Sequence, residues 1–189
     1  MKQAKVLSEA EMKRLLTIIS SGRYAARNRF AIMLSYMAGL RIGEIASLTI
    51  GDVFDNDGEV KSQIILQAKN TKANEARTVF INNKLAKEAE KYRASFAEQP
   101  KSHKPLLQTQ KNSAFSANTL CQLFGELYAK AGIDGASSHS GRRWFITKLA
   151  HNSVSAKVIM TLAGHKHLST TQRYIDVNDE MLRAAVEIL

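Results

Sequence analysis

His139 and Arg142 lie three residues apart, Gly164-His165 follows, and Tyr174 comes next; far upstream, Arg41 stands in Gly39-Leu40-Arg41-Ile42-Gly43-Glu44. These residue types suit one reaction, attack by a tyrosine hydroxyl on a phosphodiester. Two arginines can clamp a phosphate, because guanidinium stays charged and its planar fork can bind two oxygens. Two histidines titrate near working pH and can move a proton. Tyrosine is a weak nucleophile at its free pKa and needs a base or nearby cations to act. No single motif here is specific; the ordered set is.

Each motif also has a plain alternative. If helical, His139 and Arg142 share a face and can converge on one ligand. Their surroundings, Ser137-Ser138-His139-Ser140-Gly141-Arg142-Arg143-Trp144, begin with capping residues, and a helix N-terminus favours phosphate; alone, the pair reads as an ordinary helix start. Gly164 lets the chain turn, Ser169 or Thr170 can cap the next helix, and Tyr174 is then expected on that helix. Alone, Tyr174 reads as a half-buried aromatic with a satisfied hydroxyl. Arg41 is costly to bury without an anion or acid partner, and Glu44 can orient it. His165-x-His167 invites a metal reading, but no third ligand sits at a familiar spacing and Lys166 places a cation between the two. No metal or cofactor is expected.

The elements that must position these residues are mostly helical. Ser8-Glu9-Ala10-Glu11 is a capping box opening a helix to about Ile19. Further helices are expected over Tyr24–Ala38, ending at Gly39 in left-handed geometry, and over Ile42–Leu48. Asp55-Asn56-Asp57-Gly58 marks a turn. Val60–Ala68 and Arg77–Ile81 are rich in β-branched residues and form a small antiparallel sheet, with Lys69–Ala76 as a polar, exposed connection. Helix resumes over Asn83–Phe96. Pro100–Pro105 is a loop. Helices follow over Ser116–Ala131, His139–His151, Ser155–Leu162, Thr170–Ile175 and Asn178–Leu189. The fold class is mainly α with a small antiparallel β-sheet (α+β).

The chain has 189 residues, enough to bury a core unaided, and reads as a single domain. Its formal charge of +10 points to a polyanion partner, with nucleic acid the default. Cys121 is the only cysteine, which excludes an internal disulfide, fits a reducing cytoplasm and, among Leu120 and Leu123, favours a small buried side chain. No run is apolar enough to span a bilayer, and residues 1–5 lack a signal peptide's apolar stretch.

Together the residues resemble the tyrosine recombinase (phage integrase) family, in its C-terminal catalytic domain, from about Leu7 to Asp176. The motifs that carry the resemblance are Gly-Leu-Arg-x-x-Glu, Thr-Lys-x-x-x-x-Arg, His-x-x-Arg-Arg, Leu-Ala-Gly-His and Thr-Thr-x-x-Tyr, with a nine-residue step from His165 to Tyr174. The resemblance implies site-specific cleavage and rejoining of double-stranded DNA through a 3′-phosphotyrosine, without ATP or metal. Tyr174 would be the nucleophile. Arg41 and Arg142 would clamp the scissile phosphate, with a hydrogen bond from His165. His139 would move the tyrosine's proton, and Lys72 would protonate the leaving 5′ oxygen. Lys72 is preferred to Lys69 for its five-residue step to Arg77.

Two departures stand out. Arg143 occupies a position where many relatives carry histidine, with little effect expected. The family's usual N-terminal core-binding domain is not recognisable, as for an excised catalytic domain or a naturally short member such as the fimbrial DNA invertases. The resemblance further implies a homotetramer on DNA, a monomer or weak oligomer when free, no membrane, and room for accessory DNA-bending proteins. The tail 177–189 carries Met181, Leu182, Ala185, Val186 and Leu189 at helical spacing, to dock on a neighbour or on its own core. The rival readings are a type IB topoisomerase and a non-catalytic DNA-binding regulator on the same fold.

Overall fold

Ser8 opens the first helix, α1 (Glu9–Ser20), through the expected capping box: its hydroxyl accepts from the Glu11 amide at 3.2 Å, and the Glu11 carboxylate accepts from the Ser8 amide at 3.0 Å. The structure is a computed structural model and describes residues 3–68, 71, 75–98, 100–175 and 179–187, with only the backbone described at 180, 181 and 184.

Helix α2 (Ala25–Ala38) is buried along most of its length, from Phe30 to Tyr36, and ends at Gly39 in the left-handed conformation, as expected. Apolar residues all round make it the central helix, and α1 and later helices pack against it. The short helix α3 (Ile42–Ser47) follows Arg41 directly. A further single turn, α4 (Ile50–Val53), was not expected. Asp52 nucleates it by accepting from the Thr49 amide at 2.7 Å and hydroxyl at 2.8 Å; four residues are too few to show an apolar period.

The sheet has two antiparallel strands, β1 (Gln63–Leu66) and β2 (Arg77–Phe80), with Ile64 opposite Val79. Both are shorter than the sequence suggested. Ile64, Leu66 and Val79 point into the core while Ile65 and Phe80 face outward. Helix α5 (Asn83–Arg93) stops three residues short of Phe96 in tight turns. After the Pro100–Pro105 loop come α6 (Ala117–Lys130), α7 (Ser140–His151), α8 (Ala156–Ala163), α9 (Leu168–Gln172) and α10 (Asp179–Val186).

Two apolar clusters hold these elements. The larger gathers α1 to α6 and the sheet around Leu15, Phe30, Ile45, Ile64 and Phe124. The smaller joins Ile146 and Ala150 of α7 to Ile159 and Ala163 of α8, with Tyr174 and Ile175 packed against it. Helix α7 reaches the central helix at Gly141, where a Cβ would lie 2.4 Å from Ser35 Oγ and 2.7 Å from Tyr36 Cδ2. Only glycine permits that approach.

Three expectations need correction. Tyr174 is not on a helix: α9 ends at Gln172, and the Tyr174 amide closes a turn on the Thr171 carbonyl at 2.9 Å. Helix α9 starts after His167, so neither Ser169 nor Thr170 is its cap. Cys121 is half-buried, not buried, and donates to Ser138 Oγ at 3.3 Å. Lys69 and Lys72 lie outside the described residues, as do Asn178 and Leu189 and the side chain of Met181.

Candidate active site

Helix α8 ends at Gly164, whose left-handed backbone (φ 62°) turns the chain toward His165. The last carbonyls of a helix have no donors within it, and that end carries partial negative charge. Here three successive carbonyls each receive an arginine. Arg77 Nη1 donates to Leu162 O at 2.8 Å, Arg142 Nη2 to Ala163 O, and Arg41 Nη2 to Gly164 O at 3.1 Å. The three arginines come from β2, α7 and the turn before α3. The end of α8 thus gathers charges distant in sequence.

Glu44 ties two of them together. It is 1% exposed. One oxygen accepts from Arg41 Nη1 at 2.9 Å; the other accepts from Arg77 Nη2 at 2.7 Å and from the Arg41 amide at 2.8 Å. Burial pushes its carboxyl up, but Arg77 and then Arg41 outweigh burial and hold it below the ordinary value. Arg142 is buried and also donates through Nη1 to Gly39 O at 2.7 Å. Burial, and then the neighbouring Arg41 and Arg77, pull its pKa down to about 9. Guanidinium keeps its proton regardless, so the direction expresses demand for an anion. Arg41 and Arg142 each place two N–H groups on these protein acceptors, leaving three of five for other acceptors.

His165 shares this field. Its burial comes first, then Arg142, Arg41, Arg77 and Arg173, and together they lower its pKa to about 4. The ring is therefore neutral near pH 7. Its Nδ1 is 2.8 Å from the hydroxyl of Thr171, which is fully buried. When Thr171 donates to Nδ1, the proton resides on Nε2, which can then donate to a phosphate oxygen.

Tyr174 is half-buried against the smaller apolar cluster. Its ring lies 6.1 Å from that of His165, inclined by 21°. Among the described residues its hydroxyl has no hydrogen-bond partner, unlike the satisfied aromatic of the plain alternative. His139 precedes α7 rather than lying within it; it is exposed, while Arg142 is buried. Both still line one cleft of about 520 Å³, together with Arg143, Arg173 and Tyr174. Arg41 and His165 line a neighbouring cavity of about 210 Å³ with Arg77 and Thr71. The end of α8 links the residues of the two, since Arg142 and Arg41 donate to its consecutive carbonyls of Ala163 and Gly164, and the His165 ring lies 6.1 Å from that of Tyr174. Five of the six expected residues therefore surround one place, and the sixth, Lys72, lies outside the described residues.

Sequence reasoning noted Arg77 only as the end of a spacing, and Thr171 only as a motif letter. A signal for Arg77 was available. It shares the inward face of β2 with Val79, by strand alternation, and an arginine so placed calls for an acid partner. Nothing in the sequence singled out Thr171.

Known proteins share this arrangement of sequence and fold. The model of the phage integrase family matches residues 5–181. Tyrosine recombinase XerA of Thermococcus kodakarensis is 32% identical over 97% of this chain and 62% of its own length. The XerA of Pyrococcus furiosus is 30% identical over 97% of this chain and 61% of its own. The crystal structure of XerA recombinase superposes with a TM-score of 0.74 at 26% identity, covering 98% of this chain and 63% of that one. The Tn1549 transposon integrase, solved with circular intermediate DNA, gives a TM-score of 0.77 at 19% identity, over 99% of this chain and 67% of that one, a likeness of fold. The chain thus spans about three-fifths of the length of these XerA relatives.

Proposed function

This chain belongs to the phage integrase family, and on that footing we propose that it cleaves and rejoins double-stranded DNA at specific sites through a 3′-phosphotyrosine on Tyr174. The observation that carries the proposal is the convergence of Arg41, Arg142 and neutral His165 at the end of α8, beside Tyr174. Arg41 and Arg142 hold the non-bridging oxygens of the scissile phosphate, and His165 adds a hydrogen bond. Phosphoryl transfer needs mostly such positioning and charge stabilisation.

Tyr174 Oη attacks phosphorus as the bond to the 5′ oxygen breaks. His139, exposed at the cleft, takes the phenol's proton; Lys72 gives one to the leaving 5′ oxygen. Attack by another 5′-hydroxyl reverses these transfers and reseals the strand. The phosphotyrosyl bond keeps the energy of the broken link, so the cycle needs no ATP.

The charge of +10 supports phosphate-dominated DNA binding. The likeness to an integrase solved with DNA supports the same partner. We assign residues 1–189 to a single catalytic domain with a tail from 177, acting as a tetramer on DNA. Leu182 and Val186, exposed on α10, support docking of that tail on a neighbouring subunit. The test is incubation with supercoiled plasmid at low salt. Relaxed topoisomers with an SDS-resistant protein–DNA adduct are expected. Plasmid bound without either product would contradict cleavage; relaxation without exchange between two copies of a site would favour the topoisomerase reading.

A further inference from the structure

Arg143 follows the phosphate-clamp candidate Arg142, yet faces a different task. Its guanidinium carbon lies 5.9 Å from the centre of the Tyr174 ring, within range of a cation–π contact. It lines the same cleft as Tyr174 and His139. Its Nη1 donates to the carbonyl of Ala4 at 3.0 Å. Its Nε is buried without a hydrogen-bond partner, so the head is held by the Ala4 bond and by the groups it packs against.

Ala4 belongs to a short strap ahead of α1. The Lys5 amide donates to Gly135 O at 3.0 Å, and the Lys5 ammonium pairs with Glu11 at 2.6 Å. Gln3 and Ala4 form part of the cleft wall. The strap is thus pinned beside the point where it holds Arg143.

We propose that Arg143 is a positioning residue for the nucleophile: it holds the Tyr174 ring from the cleft side, and residues 3–5 hold Arg143. This rests on the reading of Tyr174 as nucleophile. Tyr174 lies beyond the end of α9, in a turn whose amide donates back to the Thr171 carbonyl, so its side chain is not set by helical geometry. Among the described residues, the ring's neighbours are the smaller apolar cluster, His165 and Arg143. Arginine suits this role because its flat head can lie over a ring while an edge N–H reaches a carbonyl. A shorter side chain such as histidine could not do both. The strap also makes the ring's position sensitive to whatever pulls on the chain ahead of α1.

The test uses single-turnover cleavage of a nicked DNA duplex that traps the covalent adduct, with DNA affinity measured separately. Arg143→Met keeps the stem and removes the cation and the donor; Arg143→Lys restores the charge. Tyr174→Phe serves as the control. The expected result is a loss of cleavage rate of about tenfold in Arg143→Met, as for a nucleophile held slightly out of line. Arg143→Lys should recover part of it. Affinity should change by no more than about threefold, the loss of one phosphate-independent cation, and melting temperature should not move with the rate. Wild-type rate in Arg143→Met, or a rate loss explained by weaker DNA binding, would overturn the role of Arg143 while leaving Tyr174 as nucleophile. An adduct that persists in Tyr174→Phe would overturn both.

Discussion

Replacing Glu44 by glutamine should damage the site more than its loss of one charge suggests. The carboxylate accepts on both oxygens: Arg41 Nη1 on one, Arg77 Nη2 and the Arg41 amide on the other. An amide has only one acceptor oxygen. Whichever way the new side chain is turned, its NH₂ must face an N–H donor. Removing one partner of a buried ion pair costs about 3–5 kcal/mol, because the other charge stays buried. Arg41 is 23% exposed and recovers some solvation, whereas Arg77 is 10% exposed and cannot. The expected loss is therefore about 3 kcal/mol, at the low end of that range. For a chain of this length that corresponds to roughly 6–12 °C in melting temperature.

Urea denaturation followed by circular dichroism at pH 7 measures this, with and without inorganic sulfate. Sulfate should restore more stability to the variant, whose arginines lack their acid, than to the wild type. The Glu44 pKa is depressed, so its contribution is present above the ordinary value of 4.5 and is lost as pH falls below it. The variant should lack that acid limb. A loss below about 1 kcal/mol would refute the reasoning, since it would mean a solvent-screened pair. A changed urea slope would refute it differently, by placing the effect in the denatured state.

Other consequences are simpler to state. His165 has a folded pKa lowered from 6.5 to about 4, so its contribution to stability is full above 6.5 and falls as the pH drops from 6.5 toward 4; His165→Asn should lose that portion of the pH profile in thermal melts, and an unchanged profile would contradict a buried neutral ring. Gly141→Ala should cost about 1–3 kcal/mol by forcing α2 and α7 apart, and an unchanged melting temperature would show that this contact yields freely. DNA affinity should fall linearly on a log–log plot against salt, by about 0.9 decade per decade of salt for each phosphate neutralised; a flat plot would remove the electrostatic account.

The parts of the fold legible in the sequence were those with local causes. Ser8 and Glu11 declared the start of α1, and Gly39 the end of α2, because caps and left-handed turns depend on few neighbouring residues. Helix α4 was invisible because one turn has no period. Ser169 and Thr170 resemble caps and so point to a helix that includes Tyr174; the helix instead starts earlier, at Leu168, and ends at Gln172, with Thr171 buried against His165. The candidate site was legible in its residue types and order, as far as the described residues show it. Its organiser was not, since the meeting of Arg41, Arg77 and Arg142 on three consecutive carbonyls at the end of α8 is a tertiary fact. Arg143 shows the same limit: its contact with Tyr174 bridges thirty-one residues of chain, and only the fold brings them together.

The most direct test of the central claim is to trap the covalent adduct on a nicked DNA duplex and locate the modified residue by peptide mass spectrometry. A nucleotide attached through its 3′ phosphate to Tyr174, and no adduct in Tyr174→Phe, is the predicted result. An adduct on another residue, or one that survives the substitution, would contradict it.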